Sequence, residues 1–236
     1  MTTLISQCME QALATHKLLF NMKFGLNKIS KDFKDRYILI GGPLLQPFID
    51  NALKGKSFTD DKDEYTEWIV RSNNKNAIER TSEGALKEFC NDEKDEFVKR
   101  TYVPILDTRL TINKRGFKDK NHFKPVEDEM LKDGFSFSNM SSYVNWYPKD
   151  GYMGWHTNYP TANNEDKQWR EEARLYLIYN DTANSYMRWK NKDGEIETHY
   201  EPKGWSVNFF GLTREPMWHC IYSNGNRFSA GFKGYE

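Results

Sequence analysis

Neither sign of charge predominates in this chain of 236 residues, where 34 Lys and Arg are balanced by 34 Asp and Glu. Proteins that coat polyanions or lie on anionic membranes carry a global excess of positive charge, so the balance argues against both while leaving room for a local basic patch. Cysteine is scarce. Cys8, Cys90 and Cys220 are widely spaced, odd in number and form no CxxC pair, which suits a reducing compartment and not a disulfide framework. No stretch reaches the roughly 18 to 20 apolar residues of a membrane span. The first twenty residues have no basic lead, and Gln7, Glu10 and Gln11 interrupt their apolar run, so they do not read as a signal peptide. These absences lead to the expectation of a soluble, cytoplasmic protein that does not enter membranes. No GxSxG occurs, and the "GGP" at Gly41 to Pro43 is far short of a phosphate loop and reads as a turn.

What the chain does have is aromatic residues, 15% of the total, under a mean hydropathy of -0.85. That combination describes a wet surface over an aromatic core and not a disordered chain. Texture changes near residue 134. Before it, the signals are mostly helical, with apolar residues from Leu4 to Leu13 at helical spacing. Three later stretches repeat the pattern. "QPFIDNALKG" has Pro47 near its start and Gly55 past its end, "EGALKEFCNDEKDEFVKR" aligns Leu86, Phe89, Cys90, Phe97 and Val98, and "KPVEDEMLKDG" has Pro125 early and Gly134 as a stop. "YILIGG" reads as a short β piece among them. After residue 134, seven short aromatic or β-branched segments alternate with turn residues, and "NKDG" before Glu195 signals a hairpin. The expectation is an α+β chain in which a mostly helical elaboration, residues 1–134, packs on an antiparallel sandwich or barrel formed by residues 135–236.

Two of the five histidines lie at ends of strand-like segments in the β half, His156 in "GWHTN" and His219 in "WHC". Isolated histidines beside tryptophans, here Trp155 and Trp218, are more often packed core groups than ligands. Their company points elsewhere. In a jelly roll, residues far apart in sequence meet at one open end, so a His-x-ligand pair and a distal His can share one face of a metal and leave the opposite positions open. Eight residues past His219, Arg227 and Ser229 alternate onto one strand face, a guanidinium fork plus a hydroxyl suited to a carboxylate. Asn145 and Tyr147 share a face in "VNWY" and can donate to a second acid group. Together these residues read as a metal site beside a dicarboxylate clamp.

The runs "YVNWYPKDGYMGWHTN" and "WHCIYSNGNRFSAGFK" resemble the non-haem Fe(II)/2-oxoglutarate-dependent dioxygenases, and more narrowly the small oxygenases of T4-like marine phages. The resemblance covers roughly residues 135 to 236 and leaves the N-terminal half unmatched. It implies a double-stranded β-helix, or jelly-roll, core. It further implies Fe(II) on His156, Asn158 and His219, with 2-oxoglutarate and O2 as co-substrates. Arg227 and Ser229 would receive the far carboxylate of 2-oxoglutarate, and Tyr147 and Asn145 would make further co-substrate contacts. The implied reaction is hydroxylation of a C–H bond coupled to decarboxylation of 2-oxoglutarate to succinate, in the host cytoplasm if the chain is phage-encoded.

Asn158 stands where the family has a carboxylate. Its amide oxygen can coordinate a hard divalent metal but brings no charge. Three readings stay open: Asn158 is a weak third ligand, an acid such as Glu165 or Asp166 reaches in, or an external anion fills the position. The primary substrate is a nucleobase, a protein side chain or a metabolite. "INKRGFKDKNHFKP" interleaves Lys114, Arg115, Lys118, Lys120 and Lys124 with Phe117 and Phe123, which suits either a nucleic-acid strand or an ordinary charged loop; His122, within it, reads as a surface residue and His199 takes no role. The alternative function is a non-catalytic jelly roll that binds a metal or a carboxylate, and an internal acid on Arg227 would favour it.

Overall fold

The computed structural model describes residues 25–54, 76–91, 108–109, 112–115, 121–135, 143–157, 172–212 and 217–235. Helices α1 (Lys31–Leu53), α2 (Ala77–Arg80), α3 (Glu83–Asn91) and α4 (Lys124–Lys132) accompany eleven strands among these residues. The strands are β1 (Gly25–Leu26), β2 (Thr108–Arg109), β3 (Ile112–Arg115), β4 (Tyr143–Tyr147), β5 (Tyr152–His156), β6 (Glu172–Asn180), β7 (Ser185–Lys190), β8 (Ile196–Glu201), β9 (Gly204–Leu212), β10 (His219–Tyr222) and β11 (Arg227–Tyr235). They form a six-stranded sheet ordered β1-β9-β6-β11-β4-β3 and a five-stranded sheet ordered β2-β5-β10-β7-β8, antiparallel throughout. From β4 onward, the chain crosses between the sheets at every connection except the β7–β8 hairpin. That alternation is the double-stranded β-helix, and it makes the fold α+β with a jelly-roll core.

Period-two alternation sorts each strand of the large sheet. Leu175, Leu177, Val207, Phe209, Phe228, Ala230 and Phe232 face outward into one apolar cluster with Phe33, Tyr37, Leu45 and Ile49 of α1 and Val126 and Met130 of α4. Val144, Trp146 and Tyr179 join them, and the residues that alternate with this outward set, including Asn145, Tyr147, Arg174, Asn180, Asn208, Arg227 and Ser229, therefore face the space between the sheets. All seven are buried. Strands β1, β2 and β3 come from before residue 134 and extend both sheets, a contribution the helical texture of that region did not suggest.

"YILIGG" and the "GGP" turn are corrected by the structure, since both lie inside α1. Ser30 caps that helix by accepting from the Phe33 amide, and Phe33, Tyr37, Gly41, Leu45, Phe48, Ile49 and Ala52 recur on its buried face. Burial of that face overrides the poor helix propensity of Pro43 and Pro47, both inside the helix. Gly41 has a packing reason, because a Cβ there would lie 2.7 Å from Leu177 Cδ2 and 3.2 Å from Val126 Cγ2. Arg36 fastens α1 to α4 through Glu129 and Asp133, and the Tyr37 hydroxyl donates to Asp133. Helix α4 begins and ends as its proline and glycine predict, with Gly134 at φ 88° beyond its last turn. No helix among the described residues is long and apolar enough to cross a membrane.

Substituting Gly41→Val forces α1 away from the sheet and is expected to cost about 1–3 kcal/mol. A urea midpoint unchanged from wild type would show that this contact is not close.

Candidate functional site

Strand β10 lies between β5 and β7, so His219 sits in register with His156 on one side and with Trp189 on the other. A bulge makes the first pairing useful. On β5, His156 and Met153 are three residues apart, yet they pair with His219 and Ile221, which are two apart. The extra residue brings both β5 side chains to the inner face, where strict alternation would have opposed them. Trp155 points the other way. Its indole donates to the Ser82 carbonyl at 2.7 Å and packs with Ala85, Leu86, Cys220 and Trp218, so this pair of tryptophans belongs to the α3 contact. Trp189 is the tryptophan beside the histidines.

The two imidazoles lie 4.1 Å apart between ring centroids, and both residues are buried. Each Nδ1 meets a backbone carbonyl, Gly154 for His156 at 2.7 Å and Met217 for His219 at 2.9 Å. A carbonyl only accepts, so each ring carries its proton on Nδ1 and its lone pair on Nε2, the tautomer a metal ligand needs. Burial lowers the His156 pKa to about 4, with Arg174 adding to the effect and the bond to Gly154 opposing it. Burial and the neighbouring His156 push His219 down as well. Both rings are neutral at pH 7, as ligation requires.

Asn158, Glu165 and Asp166 lie outside the described residues. Among those described, no group of three His, Cys, Asp or Glu side chains is placed to hold a metal, and His156 and His219 are the pair that stands together.

The four expected clamp residues do come together. Arg227 pairs in register with Tyr147, and Ser229 with Asn145, all with buried side chains on the inner face. The guanidinium lies 5.2 Å from the centroid of the Tyr147 ring. Its fork, however, is taken. Arg227 Nε donates to Glu201 Oε2 at 2.7 Å and Nη2 donates to Oε1 at 2.8 Å, with side-chain exposures of 2% and 0%. Asn180 and Asn208 donate to the same two carboxylate oxygens. Glu201 is the site residue that sequence reasoning missed. Alternation with His199 along β8 would have aimed it inward, but nothing local names its partner on β11.

Two lesser expectations are corrected. His122 is half-buried, bonds to the Leu44 carbonyl and stacks edge-on against Phe48 and Phe123. Phe123 is buried in the outer core against Phe232, so it is not a surface ring available to a base. Phe117, Lys118 and Lys120 lie outside the described residues. His199 faces inward on β8, and burial lowers its pKa.

No family model matches the chain, and no curated protein sequence matches it. Among solved structures, it is similar to a Pseudomonas putida prolyl-4-hydroxylase (TM-score 0.41, 12% identity, 75% of this chain and 95% of that one). A prolyl hydroxylase from Trichoplax adhaerens, solved with a hypoxia inducible factor peptide fragment, gives TM-score 0.42 at 10% identity over 80% and 92% of the two chains. The viral collagen prolyl hydroxylase of Paramecium Bursaria Chlorella virus-1, in complex with 2OG, gives 0.36 and 11% over 76% and 99%.

Two outcomes follow from these groups. The folded His156 pKa is depressed below 6.5, so its contribution to stability is present above pH 6.5 and lost as pH falls towards 4, by roughly 3 kcal/mol. Denaturation of the metal-free chain should show that slope, and a His156→Gln variant should flatten it; equal slopes would contradict the buried neutral ring. Glu201→Ala leaves a buried guanidinium unpaired and is expected to cost about 3–5 kcal/mol, read from denaturant midpoints.

Proposed function

We propose that the chain is an Fe(II)-dependent oxygenase of the 2-oxoglutarate-dependent kind, hydroxylating a substrate yet to be identified. The observation that supports this reading is the histidine pair: two neutral rings, adjacent across β5 and β10, each fixed by a backbone carbonyl in the tautomer that presents Nε2. A core histidine satisfied for packing alone has no need of a second imidazole 4.1 Å away that is held in the same tautomer. His156 and His219 fit a divalent metal, and Asn158 would complete the ligand set as a neutral oxygen donor. Iron held there would supply the activation of O2 at the expense of a 2-oxo acid. The protein's own residues would bind, orient and limit water: Trp189 pairs with His219 across the sheet, and Met153 and Ile221 share an apolar cluster with Trp189.

The far carboxylate of 2-oxoglutarate fits less well, since Glu201 already occupies the Arg227 fork. That same observation favours a second reading, a metal-binding jelly roll without turnover.

Anaerobic titration with Fe(II) is expected to give one bound ion per chain. His219→Ala should weaken binding by at least about 100-fold, the upper end of what loss of an outer-shell partner costs. A wild-type chain that binds no Fe(II), or a variant that binds it equally well, would remove the oxygenase reading. Iron bound at the histidines with no consumption of O2 in the presence of a 2-oxo acid would support the second reading.

A further inference from the structure

We infer that Glu201 fills the seat of the co-substrate's second carboxylate, and that the 2-oxo acid this barrel accepts ends in an uncharged tail. The inference rests on the oxygenase reading and narrows its co-substrate.

Glu201 is held too well to be an incidental occupant. Its two oxygens accept from Arg227 Nε and Nη2 and from the Nδ2 atoms of Asn180 and Asn208, four donors converging on one carboxylate. These partners come from β11, β6 and β9 of the large sheet, whereas Glu201 reaches across from β8 of the other. Charge makes the same point. The seat already holds one cation and one anion, both buried, and a second carboxylate would set two negative groups against a single guanidinium away from water. The polar atoms left over do not ask for an anion. Arg227 Nη1 is a donor and Asn180 Oδ1 an acceptor, each buried and without a hydrogen-bond partner among the described residues. They suit a neutral group or a water molecule.

Apolar side chains also share the inner faces that carry the histidines and this seat. Trp189 stands opposite His219, Met187 opposite Ile221, and Tyr147 opposite Arg227, and these side chains form one cluster with Met153, Phe210 and Met217. Thioethers adapt to the shape of an aliphatic tail without offering it charge.

2-Oxopentanoate has the five-carbon length of 2-oxoglutarate and a methyl group in place of the far carboxylate, so the pair isolates that charge. With the full-length chain loaded anaerobically with Fe(II), each acid is titrated and the visible metal-to-2-oxo-acid charge-transfer band is read. The expected result is that 2-oxopentanoate binds roughly tenfold or more tightly than 2-oxoglutarate. Glu201→Gln keeps the shape and the acceptor oxygen but removes the neutralising charge, and should reverse or abolish that preference. Tighter binding of 2-oxoglutarate by the wild type overturns the inference, as does a folded Glu201→Gln protein with an unchanged ratio. If that variant does not fold, the wild-type ratio decides alone. Failure to bind Fe(II), or bound iron giving a band with neither acid, defeats the oxygenase reading itself, and the inference falls with it.

Discussion

Strand β10 pairs with β5 and β7, and everything proposed for this chain depends on that placement. No local interaction brings His156 to His219; the chain crosses between sheets several times before β10 returns to lie beside β5. Once it does, hydrogen bonds along both edges fix the height of His219, and the β5 bulge turns His156 to the same side. The short turn after β10 then delivers Arg227 to the start of β11, between β4 and β6. Metal-ligating and carboxylate-binding residue types thus share one interior because of sheet closure, while α1 and α4 cover the outer face and carry no part of the site.

An interior of this kind is costly. Neutral histidines, two guanidiniums, a carboxylate and three asparagines occupy space that a purely structural barrel would fill with aliphatic groups, and removing such groups from water is repaid only by complete pairing. Pairing is nearly complete here. The imidazoles are satisfied at Nδ1 by backbone, and the Glu201 oxygens are saturated. The groups left without a hydrogen-bond partner among the described residues include Thr157 Oγ1, immediately after His156, as well as Arg227 Nη1 and Asn180 Oδ1 near Glu201. Unspent polarity therefore marks both the histidine end and the arginine end of the interior.

Much of this was legible in the sequence, for reasons that differ by element. Strands β4 and β6 to β11 announce themselves by short runs of aromatic and β-branched residues between turn signals, and a jelly roll follows from their number and spacing. Strand β5 was read as a strand-like segment ending at His156 but not counted among the seven, because Gly151 and Gly154 interrupt the pattern and the bulge breaks the period. Helix α1 was read in pieces because Gly41, Gly42, Pro43 and Pro47 imitate turn chemistry; only the cluster beneath it, which no local window contains, restores the helix. That Asn145, Tyr147, Arg227 and Ser229 share one face was legible because alternation along β4 and β11 is a local rule. Glu201 was not, since a buried charge is recognised by its partner, and that partner lies on a different sheet. The tryptophans next to the histidines in sequence proved less informative than Trp189, which is next to His219 only in space.

Charge balance links the two ends of the interior. Arg174 lies close enough to depress the pKa of both histidines, so a positive field already acts where a divalent metal would bind. In the ligand set His156, Asn158 and His219, nothing contributes negative charge, unlike a set with a carboxylate at the middle position. A metal bound there accordingly gains from an anion that arrives with it, and the 1-carboxylate of a 2-oxo acid is such an anion. At the other end the demand is absent, because Glu201 has already met it. On the proposed reading, one carboxylate at the metal would satisfy this barrel, whereas a second would find the Arg227 charge already neutralised by Glu201.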